Sequence, residues 1–343
     1  MSLSDATAAP AVTSAASRFG WKSRLVVAGV LAVAAVCLYL MLRTGADDVL
    51  RWDFRFGNSS FQRRLRTVAA ILLAAYCQAV ATVLFHTVTH NRILTPSIIG
   101  LDSLYVLIQT VGVAVVGAKF VDNSDSVPKF LFQTLTMVLF AAVLYRWLFS
   151  GRFSSLFLLL LAGVVIGLAF RAVSEFLQRL LSPTDFDALS IKLFGRLGSV
   201  NVDLLPIAAV ICLVVGVIVW RRRHVYDVVL LGRESATGLG VDHKRELTLA
   251  LILIALLVSV STALVGPLTF FGFIVATLAY EFAGDWRHRA TLPMAFLIGV
   301  AMLAAGQFVL HNIFYASGQL TVLIEFVGGI VFLAVLLLRK SSS

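Results

Sequence analysis

The chain has 343 residues, of which 59% are hydrophobic and only 13% charged, with mean hydropathy +0.95 and net charge +10. A soluble domain carries about 25% charged residues, and a bilayer-crossing helix uses about 20 mostly apolar ones, so the apolar supply fits about ten spans joined by short loops. This excludes a cytosolic enzyme, a secreted disulfide scaffold and a disordered protein, and it assigns the positive charge to loops facing anionic lipid rather than to nucleic acid.

In chain order, residues 1–20 are Ala/Ser/Thr-rich without apolar periodicity and are expected to be a disordered cytoplasmic tail. Residues 21–340 are expected to form one all-α polytopic membrane domain. The run from Leu25 to Leu42 is too long for a signal sequence core and lacks a cleavage site, so it is expected to be a retained first span. Further spans are expected near 65–87, 98–118, 129–149, 154–176, 204–220, 246–265, 268–280, 292–310 and 321–338. Those at 204–220 and 268–280 are short. Thr95-Pro96, Gly100, Gly266-Pro267 and Gly272 interrupt the apolar runs and predict helices broken at membrane depth, which have to be buried in protein or line a wet path. Residues 186–196 are expected to form a short helix outside the bilayer. Cys37, Cys77 and Cys212 sit in apolar runs without pairing or ligand spacing, and are expected as small core- or lipid-facing residues.

Both termini are expected in the cytoplasm, which places 16 of the 28 Lys and Arg inside, the strongest anchor being Arg221-Arg222-Arg223-His224. The outside count is raised by Arg51, Arg55, Arg63, Arg64 and Arg66, an excess that loop composition does not explain.

No G-x-x-x-x-G-K-[ST] phosphate loop, nucleophile elbow or H-E-x-x-H occurs, so no catalytic residue and no cofactor is expected, and any ATP hydrolysis belongs to another subunit. His86 and His90 stand four apart on one helix face but lack a third ligand, and no metal site is expected. Arg171, Glu175 and Arg179 follow an i, i+4, i+8 spacing with the acid between two bases. Two readings stay open: a solvated ladder where the fifth span leaves the membrane, or a polar lining at the outer mouth of a substrate path. Asp102 and Glu325, near the starts of the third and tenth spans, are open in the same way. The polar segment 221–246 carries Gly232, Gly238 and Gly240, and predicts a short amphipathic helix, a glycine break and a new span.

Four stretches, in order and at matching spacing, resemble the FecCD-type permeases of iron–siderophore and vitamin B12 ABC transporters over roughly residues 24–338. Arg63-Arg64-Leu65-Arg66 is similar to the family's R-L-P-R. Asn91 to Pro96 followed by Ile98-Ile99-Gly100 is similar to N-P-L-A-x-P-x-x-L-G. Leu231 to Ala236 followed by Leu239-Gly240-Val241 is similar to the coupling segment L-G-E-E-x-A-x-x-L-G-V. Val265 to Val275 is similar to A-G-P-I-G-F-V-G-L-V-V.

The resemblance implies a type II ABC importer permease that performs no chemistry. Its implied partners are ABC ATPase subunits, a second homologous permease, a periplasmic or lipid-anchored siderophore-binding protein, and membrane lipids. Gly232, Glu234, Ser235, Ala236, Leu239 and Gly240 are implied as the ATPase-coupling element, with Ala236 and Leu239 as its docking face. Arg63, Arg64 and Arg66 are implied to receive carboxylates of the binding protein, and a third family arginine aligns with His311. Arg171 and Glu175 are carried as outer-pathway residues. The family's Pro-His is Ala276-Thr277 here, and its L-P-x-G is Leu320-Thr321-Val322-Leu323. These departures resemble the branch that pairs with a different permease and carries ferric siderophores, often catecholates, across the bacterial cytoplasmic (inner) membrane. The competing expectation is an ion-coupled secondary transporter, which calls for inverted halves and an ionisable residue at the midplane.

Overall fold

The computed structural model describes residues 59–117, 119–122, 126–150, 156–194, 197 and 200–312, with scattered positions between 28 and 39 and between 324 and 330. The predicted tail, most of the first and tenth spans, and Glu325 lie outside the described residues. Among the described residues there is no strand, and the eight remaining predicted spans each coincide with a helix. Besides a four-residue helix, Lys119–Asp122, the helices are α1 (Ser59–Thr89), α2 (Leu101–Val116), α3 (Val127–Ser150), α4 (Leu156–Gln178), α5 (Pro183–Leu193), α6 (Leu204–Val229), α7 (Arg233–Gly238), α8 (His243–Val265), α9 (Phe271–Phe282) and α10 (His288–Asn312). A single 3-10 turn, Pro96–Ile99, precedes α2.

Among the described residues six helices are long and apolar enough to cross a membrane, and they differ widely in burial. The spans of α1 and α8 are 72% and 78% buried, whereas those of α4 and α6 are 22% and 28% buried. Helices α1 and α8 therefore form the core pair. Composition explains the contact: Ala70, Ala74, Ala75, Ala79 and Ala81 of α1 are fully buried, and small side chains let helix backbones approach where lipid supplies no hydrophobic drive. Polar side chains bridge the same seam, with Gln78 Nε2 donating to Ser261 Oγ at 3.3 Å.

Helices α2 and α9 begin inside the bundle. Twelve residues of α9 rise about 18 Å, against a hydrocarbon core of about 30 Å. A Cβ on Gly272, in its first turn, would meet Thr82 Oγ1 at 2.1 Å, which fixes that turn beside the interior of α1. Asp102, in the first turn of α2, accepts from Thr262 Oγ1 at 3.1 Å, one residue beyond the Gln78–Ser261 contact. Asp102, Thr262, Ser261, Gln78 and Thr82 thus share one buried layer. The breaks predicted at Pro96, Gly100 and Gly266-Pro267 are buried in protein, as backbone groups freed at membrane depth require.

The entry to α2 is held by glycine on both sides. Gly100 has φ +88, in the left-handed region, and a Cβ there would lie 2.9 Å from Gly167 Cα. A Cβ on Gly163 would lie 2.9 Å from Ile99 Cα, so the Gly163–Gly167 face of α4 seats directly on the break.

Three expectations change. The sixth span does not stop at 220: α6 runs 26 residues through the arginine triplet, because Tyr226, Asp227 and Val229 beyond it are buried and anchor its last turn. Cys77 and Cys212 carry no pairing signal in sequence, yet their sulfurs meet at 3.3 Å in the α1–α6 seam. The predicted outer helix at 186–196 starts earlier, at Pro183, where Ser182 Oγ accepts from the Asp185 amide at 3.2 Å and a proline fits the first turn.

Candidate functional site

The polar segment between α6 and α8 folds as predicted into a helix flanked by glycines. Helix α7 closes with the Val241 amide on Ala236 O and the Gly240 amide on Thr237 O, both 3.0 Å, and Gly240 sits at φ +81. This is the six-to-one and five-to-two pattern of a Schellman end, whose left-handed residue is normally glycine. Asp242 then caps α8, accepting from the Arg245 amide at 3.1 Å. Arg222 of α6 pairs with Glu246 of α8 across the base, closing the segment into a hairpin.

The expected docking face of α7 is corrected. Ala236 is fully buried against its own chain, while Leu239 is 64% exposed and Leu231 is 55% exposed. Ala236 is small because it seats α7 on the bundle, and the apolar side chains offered outward are Leu231 and Leu239. Glu234 lies in the first turn beside exposed Ser235, and Gly232 precedes the helix with no side-chain cap.

At the opposite end of the bundle, Arg63 and Arg66 are exposed and Arg64 is partly buried, all within the first two turns of α1. Three like charges at a helix start oppose the helix dipole, so their placement is not explained by helix stability. His311 falls in the last turn of α10, and its side chain lies outside the described residues.

On α4, Arg171 Nε donates to Glu175 Oε1 at 2.9 Å, with the side chains 72% and 56% exposed. Arg179 lies just past the last helical residue, so the expected three-member ladder reduces to this pair. His86 and His90 do not converge on a shared point for a metal. His86 Nε2 donates to Leu94 O at 2.8 Å, and His90 Nε2 donates to Val229 O at 3.2 Å. Among the described residues no group of three or more His, Cys, Asp or Glu is placed to hold a metal ion.

A constellation that the sequence did not reveal lies near α7. Asp227, at the end of α6, accepts from both the backbone amide and Nδ1 of His288, at 2.8 and 2.7 Å. His288 Nε2 reaches Thr87 Oγ1 of α1 at 2.8 Å. Thr87 and His288 border a cavity of about 210 Å³, which His90, Arg92, Tyr280 and Trp286 also line. Arg92 lies over the Tyr280 ring, 4.5 Å from its centroid. The available sequence signal was the Gly284-Asp285 turn opening α10; the partner, 61 residues earlier, carries none.

A profile of the FecCD transport family matches residues 25–339. The chain belongs to this family. Its relatives include the petrobactin import system permease FatC of Bacillus anthracis, 40% identical over 82% of this chain and 79% of the relative. The petrobactin import system permease YclO of Bacillus subtilis is 40% identical over 94% of this chain and 99% of its own. The ferric enterobactin permease FepD of Escherichia coli is 26% identical over 81% of each chain. Among solved structures, a metal-chelate type ABC transporter in an inward-facing conformation superposes with a TM-score of 0.78, covering 92% of this chain and 99% of that one at 19% identity. That likeness supports the ten-span permease fold. FecCD membership also sets aside the ion-coupled transporter, since the permeases of this family serve ABC importers whose ATPase is a separate subunit.

Proposed function

We propose that this chain is one permease of a heterodimeric ABC importer that carries a ferric siderophore of the petrobactin type across the bacterial cytoplasmic membrane. The observation that carries the reading is the Arg171–Glu175 pair, charged and exposed on a span only 22% buried. A charge facing hydrocarbon costs about 2.5–3.5 kcal/mol or more, so the α4 face borders protein or water, not lipid. A second permease on that face turns the two weakly buried helices, α4 and α6, into walls of a shared path. The outer part of α4 then presents polar side chains to the incoming cargo. The relatives bearing petrobactin names support the cargo class, and their separately named FatC and FatD permeases in one organism support unlike subunits.

The other roles follow from placement. The hairpin around α7 is the part that docks into an ATPase cleft, with Leu231 and Leu239 outward. Arg63, Arg64 and Arg66 grip carboxylates of a substrate-binding protein, for which a guanidinium fork is suited. His311 occupies the position of a further docking arginine. Permease and ATPase divide the work: this chain alternates access, and its partner hydrolyses ATP.

Co-expression with the genomic neighbours, purification in detergent and mass measurement test the assembly. The expected complex contains two different permeases with ATPase subunits, and uptake of ferric petrobactin by vesicles holding it. A functional complex containing this permease alone in two copies overturns the heterodimer, and uptake of other ferric siderophores without petrobactin overturns the cargo. Replacing Arg63 and Arg66 with Glu is expected to abolish hydrolysis stimulated by the binding protein while basal hydrolysis persists; stimulation surviving both reversals returns these arginines to the lipid surface.

A further inference from the structure

The coupling hairpin is joined to the bundle by helix packing and by a set of polar ties. Helix α7 packs on α6 and α8, and the Arg222–Glu246 pair joins those two helices at its base. Beyond that base, α6 packs along α1 and α8, and at its inner end Asp227 adds a polar tie to α10. The carboxylate takes two hydrogen bonds from His288, the first residue of α10. Thr87 Oγ1 lies 3.0 Å from Val83 O and 2.8 Å from His288 Nε2, within hydrogen-bond reach of both. Thr87, His288 and Asp227 are 2%, 1% and 8% exposed, so the contacts are made within the protein interior. A second tie runs parallel, from His90 at the end of α1 to Val229 O at the end of α6.

The helix reached through this joint is α1. It has 31 residues with neither glycine nor proline, and at 1.5 Å per residue it is a rod of about 46 Å. Kinks arise at proline, glycine pairs or inserted groups, and α1 has no proline or glycine at which to kink. Its far end carries Arg63 and Arg66. The joint therefore sits where one end of an unbroken rod meets the hairpin, and the exposed arginines sit at the other.

We propose that Asp227, His288 and Thr87 are positioning residues that lock the α7 hairpin to α1, so that hairpin and rod move as one body and the ATPase's nucleotide state is delivered to the Arg63–Arg66 face. This rests on the roles assigned above to α7 and to the arginines. It names a physical element that both sites bias, which a coupling between them requires.

The primary test is a distance in the assembled transporter. Spin labels replacing exposed Leu65 and Thr237 are expected to keep one separation in the nucleotide-free and ATP-bound states, while a label pair at Thr237 and Val165 of α4 changes. A shift of the first distance between the two states overturns the joint. The second test removes the hydrogen bond that joins His288 to α1. Thr87→Val in the reconstituted complex is expected to leave basal hydrolysis and binding-protein affinity unchanged and to cut stimulated hydrolysis about five-fold or more; Thr87→Ser, which keeps the hydroxyl, restores it. Stimulation unchanged in Thr87→Val overturns the proposal. His90→Ala, at an exposed site, is expected to give a partial loss even where the valine variant fails to assemble. The arms remain separable: failure of the binding protein to engage the arginines refutes the docking role, whereas the Leu65–Thr237 distance judges the joint itself.

Discussion

Alanine at Gly163 or Gly167 tests the seam that carries the break before α2. A Cβ on Gly163 would sit 2.9 Å from Ile99 Cα, and one on Gly167 would sit 3.0 Å from Gly100 Cα. Contacting carbons rest at about 3.5–4.0 Å, so each methyl has to push two backbones apart by about 0.5–1 Å, with no flexible side-chain end to yield. Overpacking of this kind costs about 1–3 kcal/mol. Alanine also improves helix propensity by about 0.8–1 kcal/mol over glycine, and a control is needed to cancel that gain. Gly238 supplies it, being helical with nothing within 4 Å of a built Cβ. Thermal unfolding of the purified protein in detergent is expected to place Gly238→Ala at or above wild type and both seam variants below it, separated by about 1–3 kcal/mol. Seam variants that unfold together with Gly238→Ala would refute the close-packed reading of the break.

Three further outcomes are expected. Leu239→Arg is expected to leave membrane insertion intact and abolish transport, whereas Ala236→Arg, at a fully buried site, is expected to lower the yield of folded protein; assembly and uptake assays on both separate the two. Arg171→Ala and Glu175→Ala are expected to change stability by less than about 1 kcal/mol, as for an exposed ion pair, yet to slow ferric-siderophore uptake; unchanged uptake would remove the pair from the path. Cys77 and Cys212, 0% and 6% exposed, are expected to resist a maleimide until the protein is denatured, as judged by mass shift; labelling of the folded protein would show that the α1–α6 seam opens.

Much of the fold was legible because the bilayer enforces it. Runs such as Leu247 to Val265 leave few alternatives to a span, and the Pro96, Gly100 and Gly266 punctuation marked where helices stop at depth. The α7 hairpin was legible too, since Gly232, Gly240 and Asp242 each hold a position that local backbone chemistry demands. What sequence left hidden is where unrelated segments meet. Asp227 and Thr87 lie 61 and 201 residues from His288, and no local pattern marks them as its partners. Cys77 and Cys212 lie 135 residues apart, and only the crossing of α1 over α6 brings them together. Ala236 shows the same limit in reverse: helical spacing with Leu239 suggested a shared outward face, but the tilt of a six-residue helix against the bundle buries one and exposes the other.

The shortness of α9 has a consequence for how the protein is made. Twelve apolar residues are below the roughly 18 to 20 that a membrane-inserting machinery treats as a span, so α9 has little claim of its own on the lipid phase. Its place is defined by protein: it packs against α1, synthesised some two hundred residues earlier, and against α10, which follows it. During synthesis α9 therefore has only one wall of its berth until the residues after His288 have entered the bilayer. Biogenesis of this permease is expected to be late-completing, with the α8–α9 turn at Gly266-Pro267 seated only when α10 closes over it. Mutations that weaken α10 would then surface as misinserted α9 rather than as a defect in α10 itself.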